Sequence, residues 1–226
     1  MTYVLSDLHG CLDKWREMKE KISLSDRDTV YILGDAVDRG RDGVALLQEF
    51  RESKNVVYLR GNHDQTFLTV AANLEAREEI ISTEEFRDVF SLWLADGGKP
   101  TIDSYLALPA EERKALLLFL CSLPFRETVT VGGKRFFLSH SVPAKKKMKE
   151  SGGDLYDYIA GEPEYEKVYF EDAFVVTGHT PTSFLDLSFR GKIWKGNNHI
   201  DVDCGAVFGN RLGCLCLDTG EEFYAG

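Results

Sequence analysis

The 226-residue chain reads as a mixed α/β sandwich, and three observations point there. Three short β-branched runs open the chain, each closing in a polar, glycine-containing turn and followed by a helical pattern. A long stretch from residue 65 to 123 is then mostly helix-forming. The remainder returns to short strands separated by glycine and asparagine turns. A chain of this length holds one sizeable core, so we expect a single domain over 1–226 with a helical insertion at about 65–125.

Taken in order, Thr2-Tyr3-Val4-Leu5-Ser6 is the first strand and ends in Asp7-Leu8-His9-Gly10. Residues 11–22 carry Leu12, Trp15, Met18 and Ile22 at helical spacing on one face. The run 29–33 is the second strand, followed by Gly34-Asp35-Ala36-Val37-Asp38-Arg39-Gly40 and a helix over 41–52 with Val44, Leu47 and Phe50 inward. The third strand, 55–59, ends in Arg60-Gly61-Asn62-His63-Asp64. Three strand–turn–helix units in succession predict a parallel β-α-β-α-β core. In such sheets ligands bind at the carboxyl ends of the strands. Asp7, His9, Asp35, Asp38, Arg39, Asn62 and His63 are therefore expected to converge.

Within 65–123 the pattern predicts helices over 68–81, 83–95 and 110–123, broken at Asp96-Gly97-Gly98-Lys99-Pro100. Pro109-Ala110-Glu111-Glu112 has the proline and acids that favour a helix start. Strands resume at 127–131 and 135–138 about a Gly132-Gly133 hairpin turn, leading into Ser139-His140-Ser141. Residues 144–166 are the least regular, and the lysine run Lys145, Lys146, Lys147 and Lys149 reads as a solvated face or loop. The strand 173–177 closes in Gly178-His179-Thr180-Pro181, and 192–224 reads as an antiparallel set of strands.

Composition narrows the function classes. The formal net charge of −10 argues against nucleic acid and acidic membrane surfaces, and no apolar run is long enough to span a bilayer. Five cysteines, an odd number without a C-x-x-C pair, point to reduced thiols. The chain enters its first strand at once, with no secretion signal, so a cytoplasmic protein is expected. A monomer is the expected state. Cys214 and Cys216 sit two apart in an apolar run and read as small buried hydrophobes on one side of a strand.

Four of the five histidines, His9, His63, His140 and His179, stand at strand ends. Any one could be structural, and Asp7 alone could be a helix cap. Independent structural uses would not gather all of them at one edge. Aspartate oxygens with imidazoles suit a divalent transition metal, foremost manganese, with iron or zinc possible. An aspartate placed to bridge makes a two-metal site, with ions about 3.5–4 Å apart.

The ordered set D-x-H-G at 7–10, G-D-x-V-D-R-G at 34–40, G-N-H-[DE] at 61–64, His140 and Gly178-His179 resembles the metal-dependent phosphoprotein phosphatases of the calcineurin-like metallophosphoesterase superfamily. Trp93 with Gly97-Gly98, Thr101, Ser104-Tyr105 and the segment 203–209 look like bacterial members of that family. The resemblance implies a sandwich of two mixed β-sheets flanked by helices. It implies that Asp7, His9 and Asp35 hold one metal, and that Asp35, Asn62, His140 and His179 hold a second. It further implies attack on phosphorus by a water ionised between the two cations. Arg39 would bind the phosphoryl oxygens, with Asn62 also at the substrate. His63 would protonate the leaving oxygen, oriented by Asp38.

The chain departs from the family pattern at two places. Asp64 stands where glutamate is usual. Between His140 and His179 there is no arginine to match the family's second phosphate-binding one, and Glu162-Pro163-Glu164-Tyr165 occupies the corresponding stretch. Either the 145–149 lysines substitute or the pocket differs. The expected substrates are phosphoserine and phosphothreonine in proteins, or another phosphoester. The alternative is a dinucleoside polyphosphate such as diadenosine tetraphosphate. A catalytically silent scaffold would have lost ligands, and all six are present.

Overall fold

The computed structural model describes residues 1–76 and 83–226. The first half is β1 (Thr2–Leu5), α1 (Leu12–Lys21), β2 (Thr29–Ile32), α2 (Gly43–Glu52) and β3 (Val56–Tyr58). Among the described residues four helices follow: α3 (Asn62–Ala76), α4 (Glu84–Trp93), α5 (Lys99–Leu106) and α6 (Ala110–Ser122), with a π-helical turn at Leu94–Gly98 joining α4 to α5. The second half contains β4 (Arg126–Val131), β5 (Lys134–Ser139), the short helices α7 (Lys145–Ser151) and α8 (Asp157–Ala160), and β6 (Ala173–Thr177). It ends with the short helix α9 (Thr182–Leu185), β7 (Trp194–Gly196), β8 (His199–Asp201), β9 (Leu212–Cys216) and β10 (Glu222–Ala225).

The strands make two mixed five-stranded sheets, ordered β10-β9-β1-β2-β3 and β4-β5-β6-β8-β7. Strand alternation explains how they stack. Tyr3 and Leu5 of β1, like Cys214 and Cys216 of β9, face the helices α1, α2, α3 and α6. Val4 and Leu215, the residues between them, face the other sheet, where they meet Phe136, Leu138 and Val176. Phe137 of β5 turns outward, onto Tyr158 and Phe170. The parallel β1-β2-β3 unit is as the sequence predicts, and α1 buries Leu12, Trp15 and Met18. Cys204, Cys214 and Cys216 are buried free thiols, and no helix among the described residues is long and apolar enough to cross a membrane.

The structure differs from the sequence expectation in four places. Helix α3 begins at Asn62 rather than 68, because its first turn is polar and hydrophobic periodicity starts only at Phe67. Part of the helix expected over 68–81 lies outside the described residues. The break at 96–100 is followed at once by α5, since Pro100 falls in a first helical turn where no N–H is required. The irregular segment 144–166 contains α7 and α8. The C-terminal strands are two hairpins in different sheets, not one antiparallel set. The hairpin β7–β8 joins the second sheet, with β8 parallel to β6, while β9–β10 joins β1.

Behind the site, β8 contributes a buried histidine. His199 stacks on Tyr165 with ring centroids 4.7 Å apart, and its Nε2 lies 2.8 Å from the Thr177 hydroxyl. Burial alone pushes its pKa down to about 3. Between that value and the unfolded value near 6.5 the unfolded chain binds the extra proton. His199 therefore costs stability as pH falls through this window, by at most about 1.4 kcal/mol per pH unit. His199→Phe keeps a ring against Tyr165 and removes the titration. Urea midpoints at pH 7 and pH 5 should differ less in this variant than in the parent; equal losses would contradict the assignment.

Candidate metal centre

Five loops build one polar centre. Asp7 and His9 follow β1; Asp35, Asp38 and Arg39 follow β2; Asn62 and His63 follow β3; His140 follows β5; His179 follows β6. Among the described residues, nine non-glycine residues have positive φ, and six of these are Asp7, His9, Asp35, Asp38, Arg39 and His179. Left-handed backbone costs a non-glycine residue on the order of 1–3 kcal/mol, so such clustering marks a site whose geometry the surroundings impose. Close backbone crossings demand glycine nearby: a Cβ on Gly61 would fall 2.0 Å from Asp35 Oδ1, and one on Gly178 would fall 2.2 Å from Asp7 Oδ2.

The donor atoms form two groups that share one oxygen. His9 Nε2 lies 3.9 Å from Asp7 Oδ1 and 3.7 Å from Asp35 Oδ2. On the other side, His140 Nε2 lies 3.3 Å from the same Asp35 Oδ2 and 2.9 Å from Asn62 Oδ1. His179 Nδ1 is 3.0 Å from Asn62 Oδ1 and 3.2 Å from His140 Nε2. His9 donates from Nδ1 to the Val37 carbonyl at 2.7 Å, and His140 from Nδ1 to the Leu33 carbonyl at 2.6 Å. Those bonds fix the tautomers so that, in the neutral rings, each Nε2 lone pair points at carboxylate or amide oxygens. Acceptors gathered this closely could hold a cation between them, and the oxygen and imidazole donors suit a divalent transition metal.

The electrostatics agree. Burial pushes the Asp7 carboxyl up, and Asp35 adds to it. Burial also opposes ionisation of Asp35, but His140, His63 and His9 together hold its pKa well below the usual range. Burial disfavours charge on His140, yet Asp35 and Asp7 outweigh it and raise its pKa to about 10. A proton on His140 is thus the cation the protein itself supplies to two buried carboxylates, and a metal ion would take over that task. His9 and His179 are lowered to about 4, chiefly by burial, and stay neutral, as ligation requires.

Beside the donors stand the three residues for which the sequence suggests catalytic work. His63 donates from Nδ1 to Asp38 Oδ2 at 2.7 Å. Burial works against its imidazolium, but Asp35 and Asp38 prevail and its pKa is raised. Asp38 is held by Trp93 Nε1 at 2.7 Å and the Thr101 hydroxyl at 2.7 Å. Arg39 donates to His9 Nε2 at 2.6 Å, to His63 Nε2 at 2.9 Å and to Asp96 Oδ1 at 3.2 Å. Its backbone N–H reaches the Gly97 carbonyl at 2.8 Å, and its guanidinium lies over the Phe208 ring, 5.4 Å from the centroid.

All nine residues singled out from the sequence come together. Sequence reasoning gave no role to Asp64, Trp93, Thr101 or Asp96. Asp64 Oδ2 accepts from the backbone N–H groups of Asp35 and Gly61, both at 2.9 Å, and from the Tyr58 hydroxyl at 2.6 Å. It staples the ends of β2 and β3, and the G-N-H-[DE] spacing was its signal. Asp96 had none. Among the described residues, no second phosphate-binding cation lines the cavity over the site. Glu162 is exposed, Glu164 pairs with Lys167, and Lys147 pairs with Asp154 and Asp157. Lys145 and Lys149 line a different cavity, with Met148, Tyr169 and Phe170.

Comparison with known proteins places the whole chain. A model of the family described as calcineurin-like phosphoesterase matches residues 2–200. The chain is 28% identical to a serine/threonine-protein phosphatase 1 of Salmonella typhimurium, over 93% of this chain and 88% of that protein. It is 25% identical to an asymmetrical bis(5'-nucleosyl)-tetraphosphatase of Oceanobacillus iheyensis, over 92% and 85% respectively. Among solved structures, one titled a putative diadenosine tetraphosphatase superimposes with TM-score 0.69 at 15% identity, covering 99% of this chain and 92% of that one.

The tight crossing at residue 178 gives a test of the donor set. Gly178→Ala places a methyl 2.1 Å from Ser6 Oγ and 2.2 Å from Asp7 Oδ2, so the Asp7 carboxylate must move. We expect manganese affinity, measured by calorimetric titration, to fall at least about tenfold, the scale at which disturbing a ligand's support acts. Unchanged affinity would show that Asp7 is not a ligand.

Proposed function

The chain belongs to the calcineurin-like phosphoesterase family, and from that premise we propose that it is a two-metal phosphatase of phosphomonoesters, foremost phosphoserine and phosphothreonine in proteins. The observation that carries the two-metal reading is the sharing of Asp35 Oδ2 between the two donor groups. Asp7, His9 and Asp35 would hold one ion, and Asp35, Asn62, His140 and His179 the other, with manganese the expected metal. Bound there, the ions supply Lewis acidity toward the phosphoryl group and acidify water near neutral pH.

The chain's own residues do the rest. Arg39 presents a planar fork to two phosphoryl oxygens, exchanging its bonds to the histidines for bonds to substrate. The Gly97 carbonyl fixes its backbone and Phe208 backs its guanidinium, which limits the reorganisation that binding requires. Asn62, opening α3, positions its amide at the substrate. His63 has Nδ1 committed to Asp38, so Nε2 is the atom that carries the transferable proton to the leaving oxygen. Its raised pKa keeps that proton available toward neutral pH. Trp93 and Thr101 keep Asp38 from turning away.

The phosphoprotein reading draws on the Salmonella relative, matched over most of both chains. The second reading, hydrolysis of dinucleoside polyphosphates, draws on the tetraphosphatase relative matched over similar lengths. The proposal also takes the enzyme to be a cytoplasmic monomer, on its unpaired cysteines and acidic surface.

Metal-free protein reloaded with manganese should hydrolyse p-nitrophenyl phosphate and a phosphoserine peptide, with diadenosine tetraphosphate run in parallel. Absence of turnover on all three with any divalent metal would sink the enzyme reading. His63→Asn should keep its metal content while kcat falls at least about 100-fold, the scale of general-acid catalysis. Loss of metal in that variant would mean that His63 is a ligand instead.

A further inference from the structure

The cavity over the metal centre has two unlike walls. One carries the ionic machinery: Asp7, His9, Arg39 and His179. The other is apolar and is dominated by Pro181, Phe184 and Phe208. Phe184 is 79% exposed and Phe208 55% exposed, and Leu187 beside Phe184 is 80% exposed. Large apolar side chains gathered at the mouth of a site, rather than scattered singly, mark a binding surface.

These two rings are not on loose loops. Phe208 closes a 3-10 turn, Ala206–Phe208, bracketed by left-handed Gly205 and Gly209. Lys14 donates to the Ala206 carbonyl at 2.9 Å, and Asp203 Oδ1 accepts from the Gly205 N–H at 2.8 Å. Phe184 sits in α9, whose Thr182 N–H donates to the Asp203 carbonyl at 2.9 Å, so the two turns are tied to each other. Buried Thr182 also donates from its hydroxyl toward the carbonyls of Phe189 and Lys192. The frame thus holds two aromatic faces in the open although burying them would be favourable.

Resting on the phosphatase reading above, we propose that Phe184 and Phe208 form a subsite for a planar aromatic group carried next to the substrate's phosphoryl. Phe208 links the two walls. Its ring backs Arg39, the anion-binding group, so a substrate whose phosphoryl engages that guanidinium brings its organic part onto the same surface. The apolar wall offers no cation, so a further anion would find no partner on this side. Aromatic faces in contact favour offset or edge-on packing of another ring. The ring can come from an aromatic residue flanking a phosphorylated side chain or from a nucleobase.

Calorimetric titration of the manganese-loaded protein with phenylphosphonate and methylphosphonate tests this without turnover. The phenyl ligand should bind about 10-fold more tightly, the factor expected of one aromatic pair, and Phe184→Ala should erase most of the preference. Phe208→Leu, which retains volume, should reduce it as well. Equal affinity for the two ligands, or a preference that survives Phe184→Ala, overturns the proposal. Two matched pairs identify the source of the ring: a phosphoserine peptide with Phe or Ala beside the phosphoserine, and adenosine 5'-monophosphate against ribose 5-phosphate. The pair whose kcat/KM ratio collapses in Phe184→Ala names it; if neither ratio responds, the subsite does not serve the reaction and the proposal fails. Selective phenylphosphonate binding without hydrolysis of any ester would instead remove the phosphatase reading and leave the subsite.

Discussion

The Asp35 carboxylate is the constraint on which the rest depends. Fully buried, it would be prohibitively costly as an isolated ion. It is tolerable because every surrounding element supplies something to it. Oδ1 accepts from the His63 N–H at 3.0 Å, and Oδ2 faces both His9 and His140. Its own N–H is taken by Asp64. The second buried carboxylate, Asp7, is tied across the sandwich by the His179 N–H at 3.0 Å. First-sheet acids are thus met by the His140 imidazolium and the His179 N–H of the second sheet, and their meeting couples the site to the docking of the two sheets. Buried carboxylates this close together need positive charge beside them; a proton on His140 supplies it within the protein, and the same residues could hold a metal ion that supplied it instead.

That arrangement also explains the concentration of left-handed residues. A strand that enters a turn with ordinary backbone angles would carry its side chain past the centre rather than into it. At Asp7, Asp35 and His179 the chain instead adopts positive φ, and backbone hydrogen bonds hold it there, as between His9 N–H and the Asp35 carbonyl at 2.9 Å. Glycines at 61 and 178 let neighbouring strands approach until main chain nearly touches carboxylate. The strain is local, and the stability that offsets it lies in the aliphatic layer between the sheets and in the helix-covered face. Preorganisation of this kind leaves ligands little to rearrange.

Sequence made the convergence of the nine candidate residues legible because each lies at a strand end in a short, strongly patterned turn, where the period-two signal stops and polar residues cluster. Supporting residues were legible only as types. Trp93 and Thr101 belong to the helical region, and nothing in local periodicity says that they reach Asp38, 55 and 63 positions earlier in the chain. The first turn of α3 was hidden because Asn62 to Thr66 is polar for the sake of the site, which removes the apolar spacing by which helices are detected. The split of the last four strands between two sheets was hidden for another reason: hairpin signals report that two strands pair, not which sheet receives them.

Among the described residues Arg39 is the one arginine lining the cavity, which shapes what the site relies on. A chain of net charge −10 repels phosphate at long range, though screening confines that repulsion to about 8 Å at physiological ionic strength. Attraction therefore has to come from within the pocket. Arg39 is the arginine that reaches it, and Asp96 already shares its charge. A phosphoryl group must displace Asp96 as well as two imidazoles to gain the full fork. Such competition weakens recognition of a bare phosphate more than it weakens recognition of an ester whose organic part binds independently. An apolar wall that depends on neither charge nor salt is the physical complement to an anion site with so little cationic surplus.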